Sequence, residues 1–309
     1  MNTEPIPKEK ATASQFGLTD ILLITVALIW GLNAAVVKAS LAELAPLPYN
    51  ALRFTLAASL AWLLLKGLEP GSRLQPQDIP TFVGLGLLAH TLYQFFFIQG
   101  INLTTAGNAS LLMATSPMWV SLLSALVGAE RLHLRNWLGL LLSLAGILLV
   151  TIGSGKEIGF AIATSRGDLL IIGGTLVWAV YTILSKPLLK RYSPLQLLAY
   201  TIVPGALGLI VLALPTLRQQ DLSSVSLEAW GGLVYSGTLA IVVSYIIWNM
   251  GVQKLGASKT AIYNNLSPLM AMLSGWILLS EQVTALQMGG AALIIFGLYI
   301  ARNGNKKSK

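Results

Sequence analysis

Ten apolar runs of about 20 residues follow one another along the chain, each roughly the length that crosses a bilayer as a helix. They lie at 18–38, 47–66, 79–101, 106–128, 135–153, 167–186, 194–214, 229–250, 258–279 and 285–302. Polar punctuation separates them, as at Glu69-Pro70-Gly71 and Lys190-Arg191-Tyr192-Ser193-Pro194. The pattern predicts an all-α integral membrane protein with ten transmembrane helices. A polar tail, 1–17, precedes the first run, which has no small-residue cleavage site behind it and reads as an uncleaved span. The ninth run predicts one apolar helix of about 22 residues with Pro268 near its middle, where the missing N–H removes the bond to the carbonyl of Asn264. Pro117 does the same to Met113 in the fourth run, so both helices are expected to kink at mid-membrane, as hinges for gating.

These two runs belong to a longer repeat. Gly100, Ala106, Ser116, Pro117, Glu130, Gly139 and Gly146 recur 151 residues later as Gly251, Ala257, Ser267, Pro268, Glu281, Gly290 and Gly297. Asp20, Trp30, Lys38 and Pro46 recur 148 residues later as Asp168, Trp178, Lys186 and Pro194, which puts three extra residues in the second half, most simply around Thr216 to Glu228. The chain thus divides into two five-helix repeats, 18–153 and 167–302, joined by a linker at 154–166 and followed by a basic tail at 303–309. Five is odd, so the second copy enters the membrane upside down. Inverted repeats are a transporter architecture, in which two halves rock about a site at the midplane.

Placing the N-terminus inside assigns all but five of the 20 lysines and arginines to inner segments, the exceptions being Lys38, Arg53, Lys156, Arg166 and Arg218. Both termini are therefore expected in the cytoplasm, and the cytoplasmic (inner) membrane is the expected location. The same rule explains the net charge of +8 without nucleic acid. With 55% hydrophobic and 10% charged residues, the composition excludes a soluble enzyme. No cysteine is present, so thiol chemistry is excluded, and His90 and His133 are the only histidines, too few for a metal cluster. Gly153-Ser-Gly-Lys156 lacks the upstream glycine and following hydroxyl residue of a phosphate loop. No cofactor is implied. The partners are the lipid bilayer and a small-molecule substrate. The glycines at 139, 146 and 153, and at 290 and 297, form smooth stripes for close helix packing, either within one chain or across a homodimer, so monomer and homodimer both stand.

Polar side chains inside spans are costly and mark function. His90, Tyr93 and Gln94 share a face of the third span, and Tyr245 lies in a similar wet, aromatic stripe of the eighth with Trp248 and Asn249. Tyr263 and Asn264 lead up to Pro268 in the ninth, Trp30 and Asn33 of the first span match Trp178 and Tyr181 of the sixth, and Asn108 and Thr115 come from the fourth. Of these, Trp30, Asn33, His90, Tyr93, Gln94, Asn108, Trp178, Tyr181, Tyr245, Tyr263 and Asn264 form the candidate substrate-binding set. His90 admits three roles: an interhelical hydrogen bond, a substrate contact or proton coupling. Thr115 reads equally as a bond to its own helix. Tyr49, Tyr192, Tyr299 and Trp137, near span ends, read as interfacial anchors. Lys38, Lys186 and Arg53 read as side chains that snorkel to the interface, and Lys259 as a cation at a cavity mouth. Glu130 and Glu281 are expected to cap or tie down the helix that follows each. All twelve carboxylates fall in tails, loops or span ends, which argues against carboxylate-based proton or sodium coupling.

Two five-helix halves, each with a Pro-centred fourth helix followed by Glu (Ser116-Pro117 to Glu130, Ser267-Pro268 to Glu281), resemble the EamA-type transporters of the drug/metabolite transporter superfamily over roughly 18–302. The resemblance implies a ten-helix secondary transporter, most often an exporter of amino acids and related metabolites, with its cavity formed by helices 1, 3, 4, 6, 8 and 9. His90, Tyr93 and Trp178 are similar to cavity residues of the YddG-type amino-acid exporters. The expected activity is amino-acid or metabolite export, with a purine, nucleotide-sugar, sugar-phosphate or drug carrier as the alternative.

Overall fold

The computed structural model describes residues 16–104, 106–130, 133–155, 162–279 and 282–303. The rest of the two tails, the middle of the linker and Glu281 lie outside the described residues. Every regular element within them is helical. In chain order these are α1 (Leu18–Ser40), α2 (Pro46–Leu68), α3 (Pro76–Leu103), α4 (Ala106–Met113), α5 (Ser116–Leu126), α6 (Leu134–Gly153), α7 (Ile162–Leu188), α8 (Pro194–Leu217), α9 (Leu227–Leu255), α10 (Ala257–Ala261), α11 (Ser267–Leu279) and α12 (Ala285–Asn303). Among the described residues, eight helices are long and apolar enough to cross a membrane, and a shorter apolar helix runs through Leu111–Leu126. Their ends follow local chemistry. Pro46 opens α2 where a helix has no use for its N–H. Ahead of α8, Ser193 Oγ accepts from the Gln196 N–H at 3.0 Å while the Gln196 side chain accepts from the Ser193 N–H at 3.2 Å.

The expectation of one continuous, kinked helix over 258–279 is corrected. Its backbone runs from α10 through a 3₁₀ stretch, Ile262–Leu266, into α11. Pro268 cannot bond back to Asn264, and the chain tightens to i→i+3 pairing for the turn before it. The fourth run is also interrupted. Between α4 and α5 the Thr115 N–H bonds to Leu112 O at 3.1 Å, and its hydroxyl donates to the same carbonyl at 2.6 Å. Both prolines become the second residue of a new helix rather than the bend inside an old one.

Two long helices carry a wide, π-type turn: Leu87–Leu92 within α3 and Ser236–Val243 within α9. Shifted by 151 residues, the first becomes 238–243, which lies inside the second. In α9 the widened turn offers two carbonyls to side chains. Leu239 O accepts from Ser244 Oγ at 2.9 Å, and Ala240 O accepts from Trp30 Nε1 at 2.9 Å.

Glycine permits close helix approach. α6 and α12 cross so tightly that a Cβ on Gly146 would lie 2.6 Å from Gly290 O, and one on Gly139 would lie 2.5 Å from Gly297 O. Ser143, between them, donates to Ile294 O at 3.5 Å. The stripes therefore pack against each other within one chain. Tyr49 and Tyr192, expected at the lipid interface, are buried instead, because they pack beneath neighbouring helices; Tyr299 is exposed. Gly146→Ala should destabilise the protein by about 1–3 kcal/mol through overpacking, lowering the melting temperature in detergent by roughly 2–5 °C. Gly289→Ala, whose Cβ would meet nothing within 4 Å, should leave it unchanged.

Candidate functional site

Where α1, α3, α7 and α9 meet, aromatic rings from all four pack into one cluster. Trp30 stands edge-on to Trp178 (centroids 6.1 Å) and to Tyr245 (6.2 Å) and packs on Trp248 (5.3 Å). Trp178 in turn touches Tyr93 (5.1 Å), Tyr181 (5.3 Å) and Tyr245 (5.3 Å). His90 stacks on Tyr245 at 5.6 Å and lies edge-on to Tyr181 at 5.9 Å. Such rings present apolar edges and electron-rich faces, which suit an aromatic or aliphatic body and an ammonium group. The rings fill their own space. A crevice beside Trp30, Trp248, Tyr263 and Asn264 is too narrow to admit a water molecule.

Hydrogen bonds fix the polar members. The Thr201 hydroxyl spends its one hydrogen on Leu197 O at 2.7 Å, so its 3.0 Å contact with His90 is donated by Nε2–H. This is the interhelical bond that His90 admitted on sequence grounds, and it leaves the buried Nδ1 lone pair without a partner. Gln94 Nε2 donates to Tyr245 Oη at 3.0 Å, and Tyr181 Oη donates to Asn249 Oδ1 at 3.4 Å. Asn33 is buried with its Oδ1 unpartnered.

The other candidates lie elsewhere. Tyr263 borders the crevice, but its hydroxyl donates to Asp20, which also holds Arg302 through Nε at 2.7 Å and Nη2 at 2.9 Å. Asn108 is outside the cluster: its Nδ2 donates to both oxygens of Asp168 at 3.2 Å, beside Thr104. Asn264 is half-buried at the break before Pro268, where its Oδ1 accepts from Ser267 Oγ at 3.5 Å. Pro117 is buried at the start of α5.

Two residues of this region were left out of the candidate set. Trp248 lies one helical turn beyond Tyr245, a spacing visible in the sequence. Arg53, read as snorkelling, is 2% exposed, because Asn50, Gln94 and Ser236 offer it oxygen acceptors inside the bundle.

At the end of the bundle where α5, α7 and α9 finish, Glu130 departs from its expected place. It does not cap α6, the helix that follows it. Its Oε1 accepts from Lys186 Nζ and from the Ala257 N–H, both at 2.7 Å, and its Oε2 from the Ser258 N–H at 3.1 Å, so it caps α10 in the second half of the chain. The N-terminal N–H groups of α10 have no helical acceptor and turn towards the nearest carboxylate. A cleft of about 350 Å³ opens beside it, lined by Asn136, Lys186, Lys254 and Lys259 among others. Among the described residues no three His, Asp or Glu side chains converge on a metal position.

The long apolar helices are those of a multi-pass membrane protein. The EamA-like transporter family profile matches the chain twice, over residues 17–152 and 165–302, and the chain belongs to that family of the drug/metabolite transporter superfamily. It is a transporter and not an enzyme, embedded in lipid and acting on a small molecule. It is similar to the uncharacterized transporter YyaM of Bacillus subtilis (28% identity, 91% of this chain and 92% of that one). It is also similar to an uncharacterized transporter of Archaeoglobus fulgidus (31%, 91% and 96%). A further relative is a probable amino-acid metabolite efflux pump of Escherichia coli (27%, 91% and 93%). One solved structure shares the fold with a TM-score of 0.76 at 22% identity, over 92% of this chain and 97% of that one.

Burial alone would raise the Glu130 carboxyl, but its bonds to Lys186 and Ser258 prevail and hold it below the ordinary 4.5. The folded form therefore titrates below the unfolded one, and these bonds stabilise the protein fully at pH values above 4.5 and are lost as pH falls through the folded value. Glu130→Gln should lower the melting temperature at pH 7 by several degrees. It should also flatten the wild-type decline below pH 4.5, which a thermal scan against pH will read.

Proposed function

We propose that the protein is a secondary carrier exporting amino acids or related small metabolites across the cytoplasmic membrane. In this reading ten transmembrane passages form two inverted five-helix halves, 18–153 and 167–302, with both termini in the cytoplasm. The observation that carries it is that sequence mates meet one another in space. Trp30 touches Trp178, 148 residues on, while Gln94 bonds Tyr245 and Ser143 bonds Ile294, each 151 residues on. Contacts between equivalent positions are what a two-fold relation between halves produces along its axis, and a site on that axis can face either side in turn.

The aromatic cluster lies on this line. Trp30, Tyr93, Trp178 and Tyr245 hold the substrate body, and His90, Gln94, Asn33 and Tyr181 meet its polar ends. The interrupted helices at Pro117 and Pro268 are the hinges, with Tyr263 and Asn264 at the edge of the site. Amino-acid cargo is supported by the E. coli relative's name and by an aromatic, largely uncharged cage. Packing of the glycine stripes within the chain supports a monomer as the working unit.

Proteoliposomes preloaded with amino acids should accumulate labelled amino acid by saturable counterflow, and Trp178→Ala and His90→Ala should each slow it on the order of ten-fold, as loss of one good contact implies. Exchange of purines or sugar phosphates in place of amino acids would replace the cargo. Unsaturable flux would replace the carrier with a channel.

A further inference from the structure

Arg53 lies in the interior of α2 and is a cation without an anion. Its Nε donates to Asn50 Oδ1 at 2.8 Å, Nη1 to Ser236 Oγ at 2.8 Å and Nη2 to Gln94 Oε1 at 2.6 Å. All three acceptors are neutral, and among the described residues no carboxylate pairs with it. Five guanidinium N–H groups thus meet three bonds. The guanidinium also lies over the rings of Tyr49 (5.2 Å), Phe54 (5.5 Å) and Phe97 (5.9 Å), which offset part of its desolvation but accept none of the remaining N–H groups, so the burial stays expensive unless something completes the site.

The fold does not require that charge. Advanced by 148 residues, the offset that relates Trp30 to Trp178 and Pro46 to Pro194, Arg53 becomes Thr201. Thr201 is equally buried at the matching place in α8, and it needs only its own helix carbonyl and His90. A small neutral residue packs this position in one half; the other half carries a guanidinium. Arg53 is also wired to the aromatic cluster, since the Gln94 amide that accepts from Arg53 donates to Tyr245.

We propose that Arg53 is the anion-binding group of the transport site and that its ligand is a carboxylate. This rests on the carrier reading above. Gln94 Oε1 holds the place of one carboxylate oxygen. An incoming carboxylate displaces it, makes two parallel bonds to the planar fork, and frees the Gln94 amide and Tyr245 hydroxyl to turn to the substrate. A single guanidinium among neutral partners suits a monoanion; a phosphate would call for further cations. The ammonium end of an amino acid would then lie against the ring faces of Trp30, Trp178 and Tyr245.

The test uses purified full-length protein and three probes sharing one ring: phenylalanine, phenethylamine without the carboxylate, and 3-phenylpropionate without the ammonium. Binding is read by ligand-induced thermal stabilisation, which requires no transported substrate. The wild type should bind the two carboxylates at least about ten-fold more tightly than the amine, the discrimination of one charge-assisted contact. Arg53→Gln should abolish that preference while leaving amine binding unchanged, and Arg53→Lys should retain part of it. If Arg53→Gln does not fold, Gln94→Ala decides: removing the placeholder should tighten 3-phenylpropionate binding several-fold, and equal or weaker binding would overturn the proposal. Equal binding of acid and amine by the wild type would overturn it while leaving amino-acid counterflow intact. Arg53-dependent binding of 3-phenylpropionate without any amino-acid counterflow would uphold the anion site and remove the amino acid as cargo.

Discussion

Inside a bilayer a peptide group that loses its helical partner has no water to turn to, and this constraint orders most of the structure. Several irregularities of the helices are answered by a nearby donor or acceptor. Thr115 bonds back across the gap between α4 and α5. Trp30 and Ser244 take up carbonyls offered by the wide turn of α9. The first N–H groups of α10, which begins just after Gly256, are met by Glu130.

The cluster shows a second consequence of the same scarcity of water. His90 and Tyr245 are rings with polar atoms, and each reaches a partner on another helix, Thr201 or Gln94, so their apolar faces remain available for packing. Hydrogen bonding thus orients the rings and packing fills the space between them. The widened turns in α3 and α9 lie beside these residues: His90 is within the first, and Tyr245 follows the second by two positions. Wide turns of this kind are frequent at functional sites because they shift the register of everything that follows.

Much of this was legible in the sequence. Hydropathy located the apolar runs because a bilayer imposes one length on every crossing element. The glycine stripes announced a close helix contact, and the fixed offsets picked out Trp30 and Trp178, which prove to touch. What escaped were the destinations of long and flexible side chains. Arg53 reads as snorkelling because nothing within its own helix shows that Gln94 and Ser236, far along the chain, turn acceptors towards it. Glu130 reads as a cap for the next helix because that helix is near in sequence, whereas in space α10 is nearer. Tyr263 and Asn108 carry the right chemistry for a site, and only the packing reveals that Asp20 and Asp168 claim their polar atoms. The wide turns escape because Leu87–Leu92 and Ser236–Val243 contain no proline, and the polar residues in them, such as His90, Thr91 and Ser236, are equally compatible with regular helix.

Glu130 also sets how this end of the molecule can separate. One carboxylate bonds Lys186 of α7 and two backbone N–H groups of α10, so two helix ends share a single acceptor group. Drawing α10 away strands a half-buried anion with only Lys186, while drawing α7 away leaves it on two amides with its counter-ion gone. Neither half-broken arrangement is a resting place. Separation of these helices therefore has the character of a latch releasing, slow to start and fast to finish, rather than of a gradual loosening.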